Sequence, residues 1–375
     1  MNIVDLFAGC GGFSCGFEQA GFKTKLAIEI DVNAAESFKF NHPEAIVLNE
    51  DITKVETISA LLKDSIVGVI GSPPCQSFSY SGKRDVNDPR NSLFIDYMRI
   101  VRDVRPKFFV MENVKGLLTK RTENKERVLD LIIQEANKSG YNVTYSLLNS
   151  AEYGVPQARE RLIIVGIRDD IVVEMNSVLP KGLLFEDEQI TVEQAIMDLP
   201  QINAGEGSEC QEYTVDPQND YQKSIRVNSD KVYNHVAMKH SARLVKRFEQ
   251  IQFGQSVADV SEEFSQRKRG DSTKISGKAY RQNNFRVYPN RPSPTIPASF
   301  QSNFVHPYLN RNFTAREGMR LQSFPDTYIV KGMRTKMSWE VGLSQYQQIG
   351  NAVPPLLAKA IAENLKNILN LELNF

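Results

Sequence analysis

Asn2-Ile3-Val4-Asp5-Leu6-Phe7-Ala8-Gly9-Cys10-Gly11-Gly12-Phe13 is the stretch that sets the architecture. The run to Phe7 is apolar apart from Asp5 and reads as a buried strand. The glycines end it, and Ser14 to Ala20 follows with a helical texture. A strand that passes through glycines into a helix lets a ligand approach the backbone beside the helix's positive end. A second strand-like run, Lys25–Ile28, then ends on Glu29. A carboxylate about 20 residues after such a loop is placed to accept hydrogen bonds from ribose hydroxyls. Strands alternating with helices imply an α/β fold around a mostly parallel, Rossmann-like sheet.

The glycine spacing, Gly9-x-Gly11-Gly12, departs from the GxGxxG of dinucleotide enzymes. That departure favours a nucleoside cofactor without a pyrophosphate, such as S-adenosyl-L-methionine. Asp51 in Asn49-Glu50-Asp51-Ile52 falls just past a third strand, where it can meet an adenine amino group or cap the segment that follows.

Chemistry gathers at three further places. The apolar Ile66–Ile70 leads into Gly71-Ser72-Pro73-Pro74-Cys75-Gln76, leaving a cysteine at a strand's carboxyl end, where ligands sit in open α/β sheets. Cys75 reads as a nucleophile, Pro74 fixes its approach, and the polar stretch 76–91 reads as a lid. Lys107–Met111 ends in Glu112-Asn113-Val114. An acid in such apolar company is expected to have a raised pKa, which suits proton donation near neutrality. Arg159 and Arg161 precede the apolar run Leu162–Gly166. Two apart on an extended segment, they share a face and can orient a carbonyl oxygen or a phosphate.

The chain has 375 residues, 41% of them apolar, enough for two packed domains. Without a long apolar run or a leader, a cytoplasmic protein with no membrane partner is expected. Four scattered cysteines and four scattered histidines suit neither a zinc site nor a disulfide framework, so no metal is expected. The net charge of zero conceals opposite blocks. Residues 181–220 hold ten acids and one base, while 265–291 hold Arg267, Lys268, Arg269, Lys274, Lys278, Arg281, Arg286 and Arg291 against Asp271. Tyr280, Asn283, Asn284, Phe285 and Tyr288 are interleaved with these bases, the mixture that phosphate and base-edge contacts require. From about Asp169 the βαβ rhythm stops. The expected division is a first domain over 1–175, an inserted smaller domain over 176–309, and a return segment over 310–375 whose last helix covers the first strand.

Asp5-Leu6-Phe7-Ala8-Gly9-x-Gly11-Gly12, Pro73-Pro74-Cys75-Gln76, Glu112-Asn113-Val114, Gln157-x-Arg159-x-Arg161, Arg291-Pro292-Ser293-Pro294-Thr295-Ile296 and Gly350-Asn351-Ala352-Val353-Pro354 together resemble the ordered motifs of C5-cytosine-specific DNA methyltransferases of the bacterial restriction-modification type. The resemblance implies a methyltransferase domain with an inserted target-recognition domain. Phe7, Gly9, Gly11, Gly12, Glu29, Ile30, Asp51, Ile52, Pro74, Asn351 and Val353 would line the S-adenosyl-L-methionine pocket. Cys75 would attack C6 of a flipped cytosine, with Glu112 at N3 and Arg161, beside Arg159, at O2. Double-stranded DNA is the implied partner, a cognate restriction endonuclease a functional one, and the chain is expected to act as a monomer. A tRNA cytosine-C5 methyltransferase with the same catalytic motifs is the nearest rival, but 176–309 lacks the Cys-Phe-Thr tripeptide of that branch.

Overall fold

Three β-branched or leucine side chains among five residues make Asn2–Leu6 a strand, β1, with its last four residues buried. The computed structural model describes residues 1–74, 93–122, 124–268, 271–277, 280–336 and 339–371. Cys75 and the stretch 76–91, read above as nucleophile and lid, lie outside the described residues.

The chain continues through α1 (Gly12–Gln19), β2 (Lys23–Ile28), α2 (Val32–Asn41), β3 (Ile46–Leu48), β4 (Ile66–Gly71), α3 (Leu93–Val104), β5 (Phe108–Val114), α4 (Val128–Lys138), β6 (Tyr141–Asn149), the two-residue β7 (Gln157–Ala158) and β8 (Glu160–Arg168). Seven of the strands form one sheet in the order β3-β2-β1-β4-β5-β8-β6. Pairings among β1 to β5 are parallel, and β8 runs antiparallel to both β5 and β6. The chain leaves β1 towards β2 on one side and returns to β4 on the other. The carboxyl ends of β1 and β4 therefore frame the switch-point crevice where α/β sheets bind ligands.

Two compact units make up the chain. The first comprises Met1–Tyr153, Arg159–Phe185 and Ala352–Phe375. Its core includes Val4, Leu6, Val69, Phe109, Met111 and Ile164 from the sheet, and Tyr97, Met98, Ile100 and Val101 from one face of α3. Each such side chain contributes roughly 1.5–3 kcal/mol by burial. The last helix, Pro355–Ile368, packs on α1 rather than directly on β1, and a Cβ at Gly16 would lie 2.2 Å from the Pro355 carbonyl oxygen.

The second unit comprises Gly154–Ala158 and Glu186–Asn351, so its borders differ from 176–309 and the return segment is Ala352–Phe375. The reason lies in three arginines of 310–320. Arg311 Nε donates to the Ile202 carbonyl at 2.7 Å, Arg316 Nε to that of Tyr233 at 2.8 Å, and Arg320 binds Asp198 at 2.8 Å. All three are essentially fully buried, and their partners belong to the same unit.

Candidate active site

The glycine loop departs from ordinary backbone geometry at its first residue. Phe7 has φ 57°, the left-handed region that a bulky residue seldom adopts, and it is only half-buried. Gly9 has φ 56°, and a Cβ there would meet nothing within 4 Å. Gly11, with φ 95°, precedes the buried Gly12 at the start of α1. A strained aromatic followed by backbone open at Gly9 leaves room for a flat ligand.

Glu29 closes one side of this opening. Its Oε2 accepts the Gly9 N–H at 2.8 Å and its Oε1 the Asp31 N–H at 2.7 Å. Burial raises its pKa, opposed by those two hydrogen bonds. Next to it Ile30 keeps an apolar side chain 67% exposed, a surface for an aromatic ring to cover. Asp51 caps the turn Ile52–Lys54 as the sequence allows, taking the Thr53 N–H at 3.0 Å and the Thr53 hydroxyl at 2.8 Å on Oδ1. These bonds hold its pKa below the usual carboxylate range. The Ile52 side chain points into the core, so that residue presents backbone rather than side chain. Val353 is buried in the first unit, whereas Asn351 is exposed at the end of helix Gln345–Asn351 in the second.

The neighbouring strand ends carry the residues expected to react. Leu6 lies opposite Gly71, and a Cβ at Gly71 would come within 2.3 Å of the Leu6 carbonyl oxygen, so β4 hugs β1 up to the prolines. The Asn113 amide donates to the Pro73 carbonyl at 3.2 Å, tying the end of β5 to the backbone two residues before Cys75. Glu112 is 7% exposed, but its surroundings are not purely apolar: Arg161 Nε lies 2.9 Å from its Oε1. The antiparallel register explains the meeting. Arg161 lies opposite Val114, diagonal to Glu112 on the same face. A lone acid was the expectation, and the structure supplies a cationic partner for it. Arg159 is 2% exposed, with Nη2 donating to the Ala352 carbonyl at 3.3 Å. Burial, then Arg161, lowers its pKa.

Two other cysteines of this region are not competitors. Cys10 and Cys15 are buried, and burial pushes the Cys10 thiol up to about 12 and that of Cys15 higher still. Asn49, which the sequence reading passed over, donates to the carbonyls of Glu29 at 2.9 Å and Ile30 at 3.1 Å, fixing the end of β2. No local signal marks it, because its partners lie about 20 residues upstream.

In the second unit the basic block divides. Lys268, Lys274, Arg281 and Arg291 are exposed, and Arg291 lies 3.9 Å from the centre of the Tyr288 ring. Arg286, counted above as a phosphate contact, is instead a core staple. It donates to the carbonyls of Phe248, Ile251, His306, Pro307 and Leu309 and to Asn310. No helix among the described residues is long and apolar enough to cross a membrane.

The family profile described as C-5 cytosine-specific DNA methylase matches residues 1–367. The chain is 56% identical over 366 residues to type II methyltransferase M.DdeI of Desulfomicrobium norvegicum, covering 97% of this chain and 88% of that protein. It is 34% identical to type II methyltransferase M1.HphI of Haemophilus parahaemolyticus, covering 97% and 86%. Among solved structures, a DNA modification methyltransferase encoded within an E. coli prophage superposes with a TM-score of 0.75 at 26% identity, covering 99% of both chains. The DNMT2 of Spodoptera frugiperda shares the fold at a TM-score of 0.57 and 18% identity, covering 98% of this chain and 99% of that one.

Proposed function

This chain belongs to the C-5 cytosine-specific DNA methylases, and from that premise we propose that it moves a methyl group from S-adenosyl-L-methionine to C5 of a cytosine flipped out of a specific double-stranded DNA sequence, through a covalent adduct between Cys75 and C6. It is a type II DNA cytosine-5 methyltransferase of the restriction-modification kind. In that setting its methyl mark protects host DNA from a cognate endonuclease.

The cofactor residues fit the group. Phe7 and Ile30 offer apolar surface to the adenine, Glu29 keeps lone pairs for ribose hydroxyls, and uncovered Gly9 admits the ligand against the backbone. When bound, S-adenosyl-L-methionine supplies an electrophilic methyl on a sulfonium. The chain's own task is to make C5 nucleophilic. The Cys75 thiolate adds to C6, and the ring electrons move onto C5 and N3. Glu112, held by Arg161, hydrogen-bonds or protonates N3 as charge develops there, and the Arg161 guanidinium faces O2. C5 would take the methyl group as the sulfonium gives it up and becomes a neutral thioether, N3 would return its proton to Glu112, and loss of the C5 proton to a base would break the C6–S bond and return the thiolate.

The observation that carries this reading is the tether between Asn113 and Pro73, beside the Glu112–Arg161 pair. It brings the acid's strand end against the backbone that leads into Cys75. Extruding the base costs a few kcal/mol. The exposed bases of 267–291 supply compensating phosphate contacts, so DNA affinity should fall steeply with salt. The second unit is the target-recognition domain in this reading. Replacing Glu186–Asn351 by the corresponding segment of a relative should move the methylated sequence while keeping the chemistry, as read by bisulfite sequencing. Unchanged specificity would refute that assignment.

A further inference from the structure

Arg99, on α3, spends most of its hydrogen-bonding capacity on the loop that follows Asp51. Its Nη1 donates to the carbonyls of Val55 at 2.5 Å and Glu56 at 2.9 Å. Its Nη2 donates to the Ile52 carbonyl at 2.7 Å and to Asp96 Oδ1 at 3.2 Å, and Nε reaches the same Asp96 oxygen at 3.3 Å. All five guanidinium N–H groups are thereby used. One turn further along the same face of α3, Asp103 accepts the Thr57 hydroxyl at 2.7 Å, the Ile58 N–H at 2.7 Å and the Ser59 N–H at 3.1 Å.

The segment so gripped needs outside partners. It holds only the short turns Ile52–Lys54 and Ser59–Leu61, with no strand between β3 and β4 to satisfy its backbone groups. Its first turn also orients Asp51, whose Oδ1 is fixed by Thr53. Oδ2 makes no hydrogen bond to any described residue, so its direction is inherited from that turn. The Ile52 carbonyl of the same turn ends on Arg99.

We propose that Arg99 is a positioning residue for the cofactor: by clamping the carbonyls of Ile52, Val55 and Glu56 it holds the turn so that Asp51 Oδ2 and the Ile52 backbone face the ligand. Asp103 anchors the far end of the same loop. The proposal rests on reading the Gly9–Glu29–Asp51 crevice as the S-adenosyl-L-methionine site. Lysine is only a partial substitute, because an ammonium on a flexible stem keeps the charge but cannot meet three carbonyls in a fixed fork.

Calorimetric titration of the full-length protein with S-adenosyl-L-methionine, alongside steady-state kinetics, tests it. Arg99→Ala should raise Kd and KM for the cofactor on the order of 10- to 100-fold, as expected for lost hydrogen bonds to a charged group. Its kcat at saturating cofactor should stay within about twofold of wild type, and Arg99→Lys should recover part of the affinity. A variant that melts earlier with unchanged Kd and KM, or that loses kcat alone, would overturn the proposal. Should Arg99→Ala fail to fold, Asp103→Asn carries the same expectation at smaller amplitude and the same contrary outcome. Glu29→Ala separates the two claims. If it too leaves affinity unchanged, the crevice reading falls and the Arg99 proposal with it. If Glu29→Ala weakens binding and Arg99→Ala does not, only the Arg99 proposal falls.

Discussion

The acids around the glycine loop of the first unit and the buried acids of the second are held in opposite ways, Glu112 with its arginine standing between the two cases. In the first, Asp5 is 1% exposed, with the Ser14 hydroxyl 2.6 Å from one oxygen and no hydrogen-bond partner for the other among the described residues, while Glu29 accepts from the backbone N–H groups of Gly9 and Asp31. In the second, Glu317 receives two nitrogens of Arg311 at 2.8 and 2.6 Å, and Arg320 bridges Asp198 and Asp326. Burial pushes the Asp5 carboxyl up to about 8, whereas arginines pull Glu317 and Asp326 down against the same burial. A buried acid without a counter-charge is expensive and persists where a site needs it. A buried acid locked to arginine specifies packing. The first unit keeps such acids under and around the glycine loop, and the second uses them as internal fasteners.

The largest test of that contrast is Arg320→Ala. It would remove the shared partner of two buried carboxylates, leaving Asp198 to Arg226 at 3.2 Å and Asp326 to Arg316 at 3.4 Å, so the second unit should lose about 3 kcal/mol. Urea unfolding followed by hydrogen exchange in 186–351 measures this, and a loss under about 1 kcal/mol would erase the distinction. Next comes Glu112→Gln, which keeps the shape and removes the acid. Turnover should drop about 10²-fold or more while DNA affinity changes only a few-fold. Equal losses in both would mean that Glu112 only positions the strand end.

Two pH effects follow, of smaller amplitude and distinct in where they act. Burial holds His306 down at about 3, against an unfolded value of about 6.5. The unfolded chain takes up the proton first, so this histidine's contribution is intact above about 6.5 and is lost as pH falls toward about 3. Protection of 186–351 against exchange should decline over that range, and a flat profile would contradict it. Asp5 works the other way. Its folded pKa lies above the unfolded value, so its contribution is full below about 4 and is lost as pH rises to about 8. Asp5→Asn should flatten the fall in first-unit stability between those limits in a pH series of melting curves.

Much of the first unit was legible because its signals are local. The glycine loop, Glu29, Asp51 and Glu112 all stand at ends of apolar runs, and runs of that kind announce buried strands. The direction of β8 was not legible, since an apolar run such as Leu162–Gly166 looks the same parallel or antiparallel. That direction is what carries Arg161 to Glu112. The second unit hid its border for a related reason. Arg311, Arg316 and Arg320 are each buried against a carbonyl or carboxylate 83 to 125 residues upstream, a separation that no local pattern marks. Arg286 misled in the same way within the basic block. Asn49 and Arg99 left no trace because their distant partners are backbone groups, which every sequence has.

The central claim concerns the Cys75 thiol, and duplex DNA carrying 5-fluorocytosine at the target cytosine tests it most directly. With no C5 proton to lose, the adduct cannot resolve after methyl transfer. Wild-type protein incubated with that duplex and S-adenosyl-L-methionine should form a complex that survives denaturing electrophoresis, with the crosslink mapped to Cys75. Cys75→Ser should form none while still binding the cofactor. A stable complex that persists in Cys75→Ser, or retained methylation of ordinary DNA by that variant, would contradict the account.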